Sequence, residues 1–122
     1  RLTLADGALL PFAGGHESWV FALAFSNDGE ITLSAAGDGK IVWWETSAAA
    51  PKIIRSVEAH RGWCRSLSVS ADGAWLASAG NDKVVRIWSV ADGALVKELP
   101  GHEKGVYSVL FDREGTHLFT GD

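Results

Sequence analysis

Cysteine occurs once, proline three times and methionine nowhere in these 122 residues. A lone Cys64 excludes an intrachain disulfide, so packing and hydrogen bonds must hold the fold. No stretch approaches the roughly 18 apolar residues that a membrane-crossing helix needs. There is no run of lysine or arginine and the net charge is −4, so the electrostatic footprint of a nucleic-acid binder is lacking. The basic-then-apolar pattern of a secretory leader is lacking too. Together with the unpaired cysteine, this sets the expectation of a cytoplasmic protein that binds neither membrane nor nucleic acid. Starting at Arg1 without any methionine, the sequence is expected to be an internal or processed piece of a longer chain. A hydrophobic share of 47 % against 21 % charged residues fits a packed globular domain rather than a disordered one.

What the chain has instead is repetition. His16, His60 and His102 stand 44 and 42 residues apart. Ten residues after each comes a turn, SNDG at 26–29, SADG at 70–73 and DREG at 112–115. Eighteen residues after each stands a hydroxyl, Ser34, Ser78 and Thr120. The first two units add Asp38 and Asp82 at position 22, and Trp44 and Trp88 at position 28. Short apolar-alternating segments between the turns predict strands at 20–25, 31–36, 41–45 and 53–57. In the next unit they fall at 64–69, 74–80, 84–89 and 95–99, and in the last at 106–111 and 116–121. Residues 5–16 align with 91–102, which puts the chain start in the same phase and predicts a further strand near 8–12. Four short strands in about 42 residues, with a His before the first and a Trp ending the third, is a propeller-blade signature.

On these residues the chain resembles the WD-repeat β-propeller family along nearly its whole length. The Gly-His pair is Gly15-His16 and Gly101-His102, relaxed to Ala59-His60. The terminal Trp-Asp is altered to Trp44-Glu45 and Trp88-Ser89. The resemblance implies an all-β fold, an open segment of a propeller built from four-stranded antiparallel blades. Residues 1–12 would end a preceding blade, 13–57 and 58–99 would each form a blade, and 100–122 would form the first half of another. The remaining blades are expected from the same longer chain.

His16, Ser34 and Asp38, and again His60, Ser78 and Asp82, are the residue types of a nucleophilic triad. The competing reading is a buried hydrogen-bond chain that Trp44 or Trp88 completes. A buried indole, hydroxyl and imidazole all need partners, and an active site would not recur in adjacent units. The resemblance implies the same structural tetrad, of which the last unit retains His102 and Thr120. No catalytic residue, metal ligand or cofactor site is assigned. His117 has no cysteine or aspartate at zinc-ligand spacing. Cys64 fills the slot held by Val20 and Val106, and reads as a small buried hydrophobe. Trp43 shares its slot with Ile87 and reads as packing between blades, while Trp75 is open to an edge or a packing role.

Trp19 and Trp63 follow their histidines by three residues, and Phe21, Arg65 and Tyr107 by five. In the resembled family these slots face the upper mouth, and Asn81 joins the same rim. Trp, Tyr and Arg are enriched in binding hot spots. The resulting expectation is a non-enzymatic scaffold that binds a protein or peptide on its upper face, a modestly basic peptide being suggested by the net charge. Two alternatives remain open: a propeller arm of a larger multidomain enzyme or signalling protein, and a purely architectural module.

Overall fold

The computed structural model describes residues 14–47 and 50–122, so the strand expected near 8–12 lies outside the described residues. β1 (Val20–Phe25), β2 (Ile31–Ala36), β3 (Lys40–Glu45) and β4 (Lys52–Glu58) form one antiparallel sheet in chain order. β5 (Cys64–Val69), β6 (Trp75–Gly80), β7 (Val85–Ser89) and β8 (Leu95–Leu99) form a second. β9 (Ser108–Phe111) and β10 (Leu118–Gly121) pair as a third. There is no helix among the described residues, and the sheets stand side by side as an open array rather than a closed ring.

The turns form because their side chains replace ladder bonds. Ser26 Oγ donates to Asp28 at 2.6 Å and accepts the Ile31 N–H at 3.0 Å, while Asp28 accepts the Glu30 N–H at 3.0 Å. Ser70 and Asp72 repeat this with Trp75 and Ala74. In the last unit Asp112 takes the serine's place and accepts the N–H groups of both Thr116 and His117. One departure from expectation follows: β10 starts at Leu118, because Ile31 and Trp75, which hold the place of His117 in the first two units, are strand residues through pairing with β3 and β7, while His117 stays in the turn beside Asp112.

Both complete sheets carry irregularities at the same two places. In the first strand the register skips from Val20 to Ala22 and from Cys64 to Ser66, leaving Phe21 and Arg65 as bulge residues. Bulges bend a strand and re-aim a side chain.

The middle strands β2 and β6 are buried along nearly their whole length, and β6 lies between the first and third sheets. One apolar cluster joins the first two sheets through Leu33, Trp43, Leu76 and Trp88, and another joins the second and third through Ala77, Val85, Val106 and Val109. Trp43 is fully buried and its indole N–H donates across the seam to the Val90 carbonyl at 3.0 Å. Cys64 lies within the first cluster, and burial pushes its thiol up to about 12. Trp75 stays 40 % exposed at the outer end of β6. First strands of successive sheets, β1, β5 and β9, pack on one another, so they converge on the inner side of the array.

Candidate functional site

The histidine-bearing connections lie on one rim of the array, together with the β2–β3 and β6–β7 turns. His16 Nε2 sits 2.7 Å from Ser34 Oγ, and its Nδ1 sits 3.1–3.2 Å from the Asp38 carboxylate. Trp44 Nε1 donates to the same Ser34 Oγ at 2.8 Å. In the second sheet His60 Nε2 lies 2.8 Å from Ser78 Oγ, His60 Nδ1 lies 2.8 Å from Asp82, and Trp88 Nε1 donates to Ser78 at 2.8 Å. The donors fix the direction of the chain. The carboxylate can only accept, so Nδ1 donates to it; Nε2 then accepts the serine hydroxyl, whose oxygen in turn accepts the indole N–H. In the last unit His102 Nε2 meets Thr120 Oγ1 at 2.8 Å, and its Nδ1 meets Asp122 at 3.4 Å, two residues short of the position Asp38 and Asp82 occupy.

This geometry supplies struts rather than nucleophiles. Ser78 is fully buried and Ser34 nearly so, and each hydroxyl is already bonded to an indole and an imidazole. A substrate carbonyl has no approach to either oxygen, and no cluster of three or more metal-ligating side chains forms among the described residues.

The second tetrad has a member that the sequence reading missed. Arg86 Nη1 donates to Asp82 at 2.7 Å, and its Nε donates to Glu98 at 3.0 Å. Arg86 Nη1 also lies 2.9 Å from His60 Nδ1. Both atoms are donors in the chain just described, so this contact opposes a second proton on the ring. Burial, and after it the Arg86 charge, hold His60 below its ordinary value against the pull of Asp82. Burial raises Asp82, but the hydrogen bonds from His60 and Arg86 outweigh it and the carboxyl ends below its ordinary value. The available signal was an arginine inside the otherwise apolar VVRIW, where the first sheet has Val42.

Five of the six mouth residues come together. The Arg65 guanidinium carbon lies 4.6 Å from the Trp63 ring centre, 4.6 Å from Tyr107 and 5.5 Å from Phe21. Phe21 and Trp63 contact each other at 5.1 Å between ring centres. Arg65 Nε donates to Asn81 Oδ1 at 2.9 Å, and its two Nη groups make no hydrogen bond to the described residues. The two bulges place Phe21 and Arg65 here. Trp63 and Tyr107 remain 39 % and 55 % exposed. Trp19 does not join this cluster; it stands 77 % exposed at the leading end of the first sheet.

Comparison with known proteins is consistent across sequence and structure. The family model "WD domain, G-beta repeat" matches residues 8–45, 51–89 and 93–122. Each match from 51 onward begins at the last strand of one sheet and continues into the next, so the sequence repeat is offset from the sheet by one strand. Rat (Rattus norvegicus) Jouberin is 29 % identical over 113 residues, covering 88 % of this chain and 11 % of Jouberin. The nuclear distribution protein nudF of Emericella nidulans is 34 % identical over 125 residues, covering 85 % of this chain and 28 % of nudF. The chain thus spans well under a third of these relatives. Among solved structures, the RRP9 WD40 repeats superpose with a TM-score of 0.81 and U3-55K with 0.82. Both are 23 % identical and cover 88 % of this chain, against 33 % and 34 % of their own lengths. Members of this family generally act as non-catalytic protein-interaction modules. Three matched repeats, with the open four-stranded sheets they fold into, show that the chain belongs to the WD40-repeat β-propeller family.

Proposed function

We propose that this segment belongs to a non-enzymatic scaffold that captures a protein or peptide on the rim carrying its histidines. One observation carries the reading: a guanidinium flanked by rings contributed from three successive sheets, with two of those rings substantially exposed. Rigid aromatic side chains offer large contact area at low entropic cost, and arginine adds directional donors. Trp19 extends the surface toward the preceding blade. The tetrads beneath serve as struts that hold the rim in place. In the full chain, Trp63→Ala is expected to weaken partner capture by about 2 kcal/mol or more, as for an interface hot spot, with the melting temperature within a few degrees of the parent. Calorimetry and pull-down with the partner recovered by the parent protein check this.

The Phe21–Trp63 contact favours a second reading, since it also joins the first two sheets. If Trp63→Ala lowers the melting temperature and leaves capture unchanged, the cluster is architectural mortar. An activity located elsewhere in a larger chain is compatible with either reading.

A further inference from the structure

The placement of charge on this rim indicates what the partner carries. Half of the acidic groups among the described residues sit at the opposite rim, on the turns and strand ends at Asp28, Glu30, Glu45, Asp72, Asp92, Asp112 and Glu114. On the histidine rim, Asp38, Asp82 and Asp122 are engaged by imidazoles, Asp82 and Glu98 by Arg86 and Glu58 by Lys40, which leaves Glu17 and Glu103 outside any ion pair among the described residues. Against these two glutamates stand Arg61, Arg65, Lys83 and Lys104, none of them in an ion pair among the described residues, so the net charge of −4 does not describe the cluster.

At the cluster the balance is reversed. Each connection that supplies a cluster residue also carries a cation: Arg61 before Trp63, Lys83 after Asn81, and Lys104, beside Glu103, before Tyr107. Arg65 itself is sterically committed on every side but one. Its faces lie against aromatic rings and its Nε is bonded to Asn81. The cation-attracting ring faces are thus already used by an internal cation, which leaves a partner lysine or arginine little to gain. What remains is the Nη edge, a pair of charged donors without an acceptor among the described residues. Such an edge matches a carboxylate with two parallel N–H···O bonds. The rings on either side hold the guanidinium in one orientation and lower the entropic cost of using it.

Resting on the proposed rim-binding function, we infer that the occupant is an acidic peptide that presents an Asp or Glu side chain to the Nη edge of Arg65. The rings flank the neighbouring residues of that peptide, and Arg61, Lys83 and Lys104 attract acidic residues further along it.

The test uses the full chain and four fluorescein-labelled degenerate dodecapeptide pools, identical except for Glu, Gln, Lys or phosphoserine fixed at the central position. Fluorescence anisotropy is expected to favour the Glu pool over the Gln pool by about tenfold, the usual margin of one charge-assisted bidentate contact. Arg65→Lys, which keeps the charge and loses the fork, is expected to erase most of that preference with little change in melting temperature. Preference for the Lys pool that survives Arg65→Gln overturns the carboxylate assignment while leaving a rim-binding function standing. Preference for phosphoserine with no gain of Glu over Gln likewise overturns it. If all four pools bind alike and neither Arg65→Gln nor Trp63→Ala alters them or partner capture, the rim-binding function itself fails.

Discussion

The first and second sheets contain the same four residues in nearly the same geometry, yet they hold their carboxylates by different means. Asp38 leans on backbone, accepting the N–H groups of Glu17 and Lys40 at 3.0 Å each. The corresponding amides of Arg61 and Val84 stand off from Asp82 at 3.2 and 3.4 Å, and Arg86 makes up the difference. Position 42, opposite Ser56, is a buried valine in the first sheet, whereas Arg86 lies opposite Glu98 in the second. A hydrogen-bonded strut therefore specifies four residues and leaves the fifth free to vary, and that fifth residue sets the local electrostatics.

Removal of the carboxylate should separate the two sheets most. Asp82→Ala strands an imidazole and a partly buried guanidinium, and is expected to cost about 3 kcal/mol. Asp38→Ala strands an imidazole and two amides near solvent, at about 1–2 kcal/mol. Urea unfolding of the full chain compares them, and equal losses would contradict the role given to Arg86. Next comes the tight turn between second and third strands. Gly39 has φ +78°, and a methyl group there would strike the His60 carbonyl, whose own N–H is bonded to the Gly39 carbonyl. Gly39→Ala is expected to cost about 2 kcal/mol by the same assay.

Arg86→Val makes the second sheet resemble the first. Its stability cost at neutral pH should be about 1 kcal/mol, less than for Asp82→Ala, because His60 and the Arg61 and Val84 amides still hold the Asp82 carboxylate and the pair with Glu98 is largely solvent-screened. Its clearer effect is on acid sensitivity. A histidine held below its ordinary value of 6.5 is protonated more readily in the unfolded chain, so stability is full above 6.5 and lost as pH falls below it. The depressed Asp82 adds a further loss, below its ordinary 3.8. Melting temperatures between pH 7.5 and 5.5 should fall for the parent and fall less for Arg86→Val, the remainder coming from burial. The smallest effect is at Lys83, which occupies the Gly39 position at φ +70°. Lys83→Gly should relieve left-handed strain and, after the entropic cost of glycine, gain about 0.5 kcal/mol.

The strands and tetrads were legible in the sequence because each rests on local chemistry. Ser-x-Asp-Gly closes a turn with its own side chains, and the fixed intervals from His to Ser, Asp and Trp reflect strand lengths. Side chains acting between sheets were less legible. Nothing near Trp43 marks its bond to Val90, 47 residues away. The gathering of Phe21, Trp63 and Tyr107 around Arg65 followed from repeat symmetry, but Trp19, symmetric with Trp63, stands apart because its neighbours would come from the preceding unit. The expectation of a basic ligand came from total charge, which carries no information on where the charges lie.

The seams between sheets are pinned along different lines. Between the second and third sheets, Ser66 and Ser68 on the inner strand β5 accept the Val109 and Phe111 N–H groups at 3.1 Å. The first sheet has Ala22 and Ala24 at those places, and its seam is fastened farther out, where Trp43 and Arg55 reach the Val90 and Ala91 carbonyls. Two serines on the inner strand thus fasten one seam, and an indole with a guanidinium fastens the other farther out, so substitutions at Ser66 or Ser68 and at Trp43 or Arg55 would loosen neighbouring seams at different radii.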